Sequence, residues 1–175
     1  MKKASIEIGV NFLVVLIICL VLLGIGVKLM VSFISSADKL RTNVEEYNKA
    51  QIKKNLDSGA LVAALPSSIV VQRGGYADFD IGISNELGAE QSFHVFVAED
   101  PNDGHNVPDI KKLYVQGPYS VKNNAQYFMP VRIVMPRAAP GGTYIFDVVV
   151  CTGDQCFKGS SFAYGDLIKI YVNVR

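Results

Sequence analysis

From Ile8 to Val27 the chain reads IGVNFLVVLIICLVLLGIGV, twenty residues without a charge. At about 1.5 Å of rise per residue such a helix spans roughly 30 Å, the thickness of a bilayer's hydrocarbon core. In lipid a lone segment satisfies its own backbone only as a helix. Asn11 is the one strongly polar side chain inside, close to one interface. Lys28 can snorkel, and Leu29–Ile34 is apolar again, so the helix extends past it. A removed secretory signal has a shorter apolar core followed by a small-residue cleavage motif, and no A-x-A follows here. The segment therefore reads as a retained membrane helix rather than a signal or the core helix of a soluble protein.

The remainder of the 175 residues suffices for one ordinary domain and an accessory segment. Seventeen Lys and Arg face sixteen Asp and Glu, which argues against a nucleic-acid partner. The charges are spread along the chain, so no electrostatic funnel for phosphate or acidic lipid is expected. Two His and three Cys leave little for a metal centre or a His-based catalytic set. The expectation is a chain that is not an enzyme, with no catalytic residue, metal or cofactor.

Lys2 and Lys3 favour a cytoplasmic N-terminus, but Lys28, Lys39 and Arg41 lie within reach on the other side. The positive-charge count alone leaves orientation open.

Glu7 stands at the start of the apolar helix. It has two readings. It can be a first-turn acid, placed at headgroup level and at the positive end of the helix dipole. It can also pair across subunits with a neighbour's N-terminal amine, sequestered so that mismatched registers are disfavoured. The stretch MKKASIEIGVNFLVVLIICLVLL resembles the start of archaeal type IV pilin-like proteins. It has a short basic leader, a small residue, and a Glu just ahead of an uninterrupted apolar helix. The resemblance covers about the first 35 residues. It implies a leader over residues 1–4, a peptidase cut between Ala4 and Ser5, and a helix over 5–34. It further implies Glu7 as the assembly carboxylate, and a homo-oligomeric helical filament built on the N-terminal helices. The chain carries Ala4 where relatives commonly have Gly, and its Glu7 lies closer to the cut than is usual. An uncleaved signal anchor has almost the same sequence.

Residues 35–58, SSADKLRTNVEEYNKAQIKKNLDS, continue the helix as a stalk. Ala37, Leu40, Val44 and Tyr47 fall at helical spacing, and Ile52 and Leu56 extend a drifting stripe. Glu45 or Glu46 can pair with Lys49 along one face. Membrane helix and stalk together make a rod of roughly 75 Å, with Gly24 and Gly26 as the flexible points. The Leu40/Val44/Tyr47 stripe packs either on the chain's own globular domain or on a neighbour's helix, with the neighbour slightly favoured. Gly59 and Leu65–Pro66 end this stalk and linker, assigned to 35–65.

From residue 66 to 175 the period changes to two. Tyr76–Ser84 places Phe79, Ile81 and Ile83 on one face, and Ser92–Glu99 places Phe93, Val95 and Val97 inward. Ile69–Gln72, Leu113–Gln116, Tyr127–Met135, Thr143–Cys151 and Ile168–Val174 are the other predicted strands. Turns such as Arg73–Gly74–Gly75 and Ala139–Pro140–Gly141–Gly142 separate them. The spacing predicts an immunoglobulin-like β-sandwich, and with the helix an α+β chain. YADFDIGISNELG and MPRAAPGGTYIFDVVVC resemble immunoglobulin-like modules of archaeal and bacterial surface proteins, a signal of fold rather than of binding partner.

Cys151 and Cys156 bracket four residues. A disulfide, two surface thiols, or half a metal site are the alternatives, and no His or further Cys is nearby in sequence to complete a metal site. The disulfide reading implies an oxidising exterior, hence a cytoplasmic N-terminus and a C-terminal domain outside the cell. Cys19 reads as apolar filler. Asp100–Gly104 has the flavour of a calcium loop, yet it is one residue short of the usual spacing and no Glu follows, so an acidic turn is expected. His94 and His105 lack triad company and read as solvated. No N-x-[ST] sequon occurs.

Two functions remain. One is a pilus-like filament subunit with helices in the core and sandwiches outside. The other is a single-pass anchored binding module of the envelope, like the anchored sandwiches of the archaellum stator or partners of an S-layer.

Overall fold

The computed structural model describes the backbone of residues 3–101, 103–105 and 107–175, and their side chains except at 3–11 and 37–42. One helix, α1 (Lys3–Asp57), is followed by nine strands among the described residues. The chain forms two compact units, Met1–Val44 and Glu45–Arg175.

Within the first unit α1 passes through Gly24 and Gly26 without a break. Every side chain from Phe12 to Ser36 is exposed, including Phe12, Leu23, Met30 and Phe33. This stretch is long and apolar enough to cross a membrane.

In the second unit the helix ends where its sequence dictates. The Gly59 amide donates to Leu56 O and the Ala60 amide to Asn55 O, at 3.0 and 3.2 Å. Gly59 has φ of 98°, a left-handed residue closing a Schellman turn.

The strands are β1 (Val62–Leu65), β2 (Ser68–Val71), β3 (Tyr76–Ser84), β4 (Gln91–Glu99) and β5 (Lys111–Leu113), then β6 (Tyr119–Val121), β7 (Gln126–Val134), β8 (Gly142–Cys151) and β9 (Ile168–Val174). They form a four-stranded sheet in the order β1-β3-β7-β5 and a five-stranded sheet in the order β2-β9-β8-β4-β6. All pairs are antiparallel except β2 with β9. At each edge the chain changes sheets beside a proline, Pro66 between β1 and β2 and Pro118 between β5 and β6. Proline cannot donate to a ladder, so pairing stops there and the next strand is free to join the other sheet.

The alternation read from sequence is the core. Phe79, Ile81, Ile83, Phe93, Val95 and Val97 are all at most 2% exposed and meet Met129, Val131, Ile133, Phe146 and Val148 between the sheets. Three strands differ from expectation. β1 lies inside the segment read as linker, because Val-Ala-Ala-Leu is short, apolar and without alternation. The run predicted at 113–116 begins at Lys111 and ends at Leu113. β6 has only three residues and carried no periodic signal.

Candidate assembly site

The exposed apolar surface of Phe12–Ser36 is the first element of the site. A surface of this size is not left bare by a soluble protein. The side chains of Ala4, Ser5 and Glu7, the expected cut and assembly carboxylate, lie outside the described residues.

The second element is the foot of the helix, residues 45–57. Ile52 and Leu56 are 0% and 2% exposed and pack with Ala63, Leu65 and Phe128 on the outer face of the four-stranded sheet. Gly82 of β3 makes room for them. A Cβ there would collide with Cγ2 of Ile52, and Cδ1 of Leu56 lies 3.1 Å from the same point. Ile52 and Leu56, which continue the stalk stripe, are thus buried on their own domain, while Val44 above them is exposed. Tyr47 remains 64% exposed. Beside the foot, burial pushes the Asp80 carboxyl above its usual range, with Glu45 adding to the shift and Lys49 and Asn48 opposing it.

The third element is a strap, residues 152–167, that leaves β8 and returns to β9. Cys151 and Cys156 are joined, with Cα atoms 5.5 Å apart, as the disulfide alternative expected. Cys156 Sγ lies 3.6 Å from His94 O and 3.7 Å from Val149 O, on the outer face of the five-stranded sheet. Outward-facing residues of β8 are buried beneath the strap: Asp147 and Cys151 at 0%, Val149 at 4%. Lys158 of the strap contacts the Asp147 carboxylate and lies 3.8 Å from Asp100. Lys169 bonds the same two carboxylates, which hold its ammonium well above the usual lysine range. Further along, Tyr164 enters the core. Its ring lies 4.9 Å from that of Phe93, its hydroxyl donates to Ser84 O at 2.7 Å, and the Glu86 amide donates to it at 3.0 Å.

The histidines are not solvated in the way expected. His94 does face outward from β4, but the strap leaves its side chain 13% exposed, with Nε2 3.4 Å from Asp154. His105 stacks on Tyr144 at 4.3 Å. In the acidic turn the Asp103 carboxylate accepts from the amides of His105 and Ile145, while Asp100 faces the two lysines. Those carboxylates are engaged in fastening the turn to β8. Among the described residues no cluster of His, Cys, Asp and Glu could hold a metal ion.

No known protein family matches the chain, and no curated protein does. Solved structures similar to it include a family 123 glycoside hydrolase from Clostridium perfringens, at 12% identity and TM-score 0.46, covering 62% of this chain and 22% of that one. The Pseudomonas aeruginosa CupB2 chaperone aligns at 12% identity and TM-score 0.39, over 64% of this chain and 55% of that one. The class 5 fimbriae chaperone CfaA aligns at 12% and 0.36, over 63% and 54%. The chain thus spans about a fifth of the hydrolase and about half of each chaperone. These are likenesses of backbone arrangement and carry no argument about activity or partners. The chain is an apolar N-terminal helix followed by a two-sheet β-sandwich with a disulfide-braced strap.

Proposed function

We propose that this protein is the structural subunit of a type IV pilus-like cell-surface filament, its apolar helices bundled in the core and its sandwiches displayed outside. One observation carries the reading. The 25 residues Phe12–Ser36 are apolar and wholly exposed, and the same helix continues to Asp57, where its last turns are locked onto the sandwich. An apolar surface of that length needs either lipid or other helices around it. A helix that is continuous into the head offers both in turn, lipid before assembly and neighbouring helices after it. Glu7 is assigned to pairing between subunits and Ala4–Ser5 to leader removal. The N-terminus lies on the cytoplasmic side, and the Cys151–Cys156 disulfide supports a head in an oxidising exterior. No catalytic role, metal or cofactor is assigned.

A second reading is favoured by the same 25-residue length, which suffices for one chain to cross a bilayer alone. In it the protein is a single-pass anchor whose sandwich binds an envelope partner. Mass spectrometry of the native N-terminus with electron cryomicroscopy of cell-surface filaments separates the two. A chain starting at Ser5, with residues 5–58 in a shared helical core, supports the filament. An intact Met1 with no such core overturns it in favour of the anchor.

A further inference from the structure

Two surfaces lie on opposite layers of the head. The strap covers the outer face of the five-stranded sheet. Phe157 and Phe162 are 51% and 53% exposed on it, and the Asp154 side chain is 98% exposed. The strap's own cation, Lys158, is turned onto buried Asp147. What it offers outward is therefore aromatic and acidic.

The strap is also rigid. Besides the disulfide, the Thr152 amide donates to Phe162 O, the Tyr164 amide to Val150 O, and Ser160 Oγ to Gln155 O, at 3.0, 2.7 and 2.9 Å. Aromatic side chains on a loop already held in place lose little entropy on binding, which is the character of an interface anchor.

The other surface is the outward side of the helix foot. Tyr47 and Lys54 are seven residues apart, two turns along one face, and both are exposed. That face points away from the sheet, because Ile52 and Leu56 hold the opposite side to it. It presents a phenol ring and an ammonium group where the strap presents phenyl rings and a carboxylate. The pairing is complementary in both shape class and charge.

The stretch of the strap around Asp154 and Lys158 lies on the outer face of the five-stranded sheet and the foot on that of the four-stranded sheet, so one chain does not join these two surfaces itself. We infer that the strap of one copy docks on the helix foot of the next, with Phe157 and Phe162 against Tyr47 and with Asp154 against Lys54. The contact uses two unlike patches, so it is heterologous. Repeated without closing, it generates an open helical row rather than a dimer. This names the head-level contact of the filament and rests on that reading for its setting.

The test uses full-length chains, half of them isotope-labelled, assembled together and treated with a carbodiimide that joins a carboxylate to an amine in contact. Mass spectrometry is expected to find Asp154 linked to Lys54 across a labelled and an unlabelled copy. Replacing Phe157 and Phe162 together by Ser is expected to lower that product about tenfold, by removal of the anchors. Asp154→Asn, at a site too exposed to unfold the head, provides a second variant and is expected to remove its own crosslink and weaken assembly. Crosslinks confined to single chains, or a mixed product indifferent to both variants, overturn the contact. Micrographs of the same sample keep the two proposals apart. Filaments with a shared helical core and no such crosslink defeat the contact and leave the filament standing. Crosslinked oligomers without that core support the contact and defeat the filament.

Discussion

Cγ2 of Ile52, on the last turns of the helix, occupies the space that a Cβ on Gly82 would need. The foot of the helix is seated on β3 by this absence of a side chain. Gly82→Ala therefore forces Ile52 and Leu56 outward. The expected loss is about 1–3 kcal/mol, in the range of overpacking a filled core. Ile52→Ala empties the same place and is expected to cost about 2–5 kcal/mol. Chemical denaturation of the full chain in detergent measures both. A Gly82→Ala protein as stable as the parent would mean that the foot is not seated there.

Tyr164 ties the strap to the end of β3, in the other sheet, through two backbone groups, Ser84 O and the Glu86 amide. Burial raises its hydroxyl above the usual tyrosine range, with the hydrogen bond from the Glu86 amide acting in the other direction. Tyr164→Phe keeps the ring against Phe93 but leaves both groups without this partner. The expected cost is about 1–3 kcal/mol, set mainly by the unsatisfied backbone. Thermal unfolding checks it. A loss of that size with the Phe93 contact intact isolates the hydroxyl's part.

How much of this was legible in the sequence follows from whether a residue's environment is local. Phe79, Ile81 and Ile83 alternate within one strand, so their burial could be read directly. The apolar helix was legible from length and charge alone. Cys151 and Cys156 could be paired as one alternative because only four residues part them. Asp147 could not be read, because alternation places it outward. It is buried because the strap folds back over it, with Lys158, eleven residues later, and Lys169 on its carboxylate. Tyr164 has no periodic partner, and its hydrogen bonds reach back some eighty residues. Gly82 sits between two core isoleucines as an ordinary outward position until the helix foot is laid across it. β1 was hidden because four small apolar residues before a proline suit a helix end as well as a strand.

Asp80 makes the seat of the helix sensitive to pH. Its carboxyl is raised first by burial, and Glu45 and Asp78 add to the shift. The folded protein therefore holds this proton more tightly than the unfolded chain does. The associated stability is fully present below the unfolded value near 3.8 and is lost as pH rises through the higher folded value. Asp80→Asn removes the titration. It is expected to be at least as stable as the parent at neutral pH and to lack the gain that the parent draws from protonating Asp80, so its advantage over the parent shrinks as pH falls. Unfolding midpoints from pH 3 to 7 read the effect, since the carboxylate range lies within that window. An advantage of the variant that grows as pH falls would show the sign to be wrong.

The disulfide closes a short loop, and the chain-entropy estimate for such a loop is about 2 kcal/mol. Its structural reach is longer than its loop, because Cys156 leads directly into Phe157 and Lys158. With Cys151→Ser and Cys156→Ser together, the strap keeps Tyr164 at one end but loses its fixed start. Lys158 is then held over Asp147 only by its own ion pair, and Lys169 remains as the second cation on that carboxylate. The double variant is therefore expected to stay folded, lower in stability by about 2 kcal/mol or less. Amide hydrogen exchange is expected to quicken in residues 152–163 and to stay slow in β8 and β9. Exchange that quickens in the two strands as well would mean that the strap, rather than the core between the sheets, holds the five-stranded layer together. Unchanged exchange in the strap would mean that its hydrogen bonds and the Tyr164 anchor suffice without the bridge.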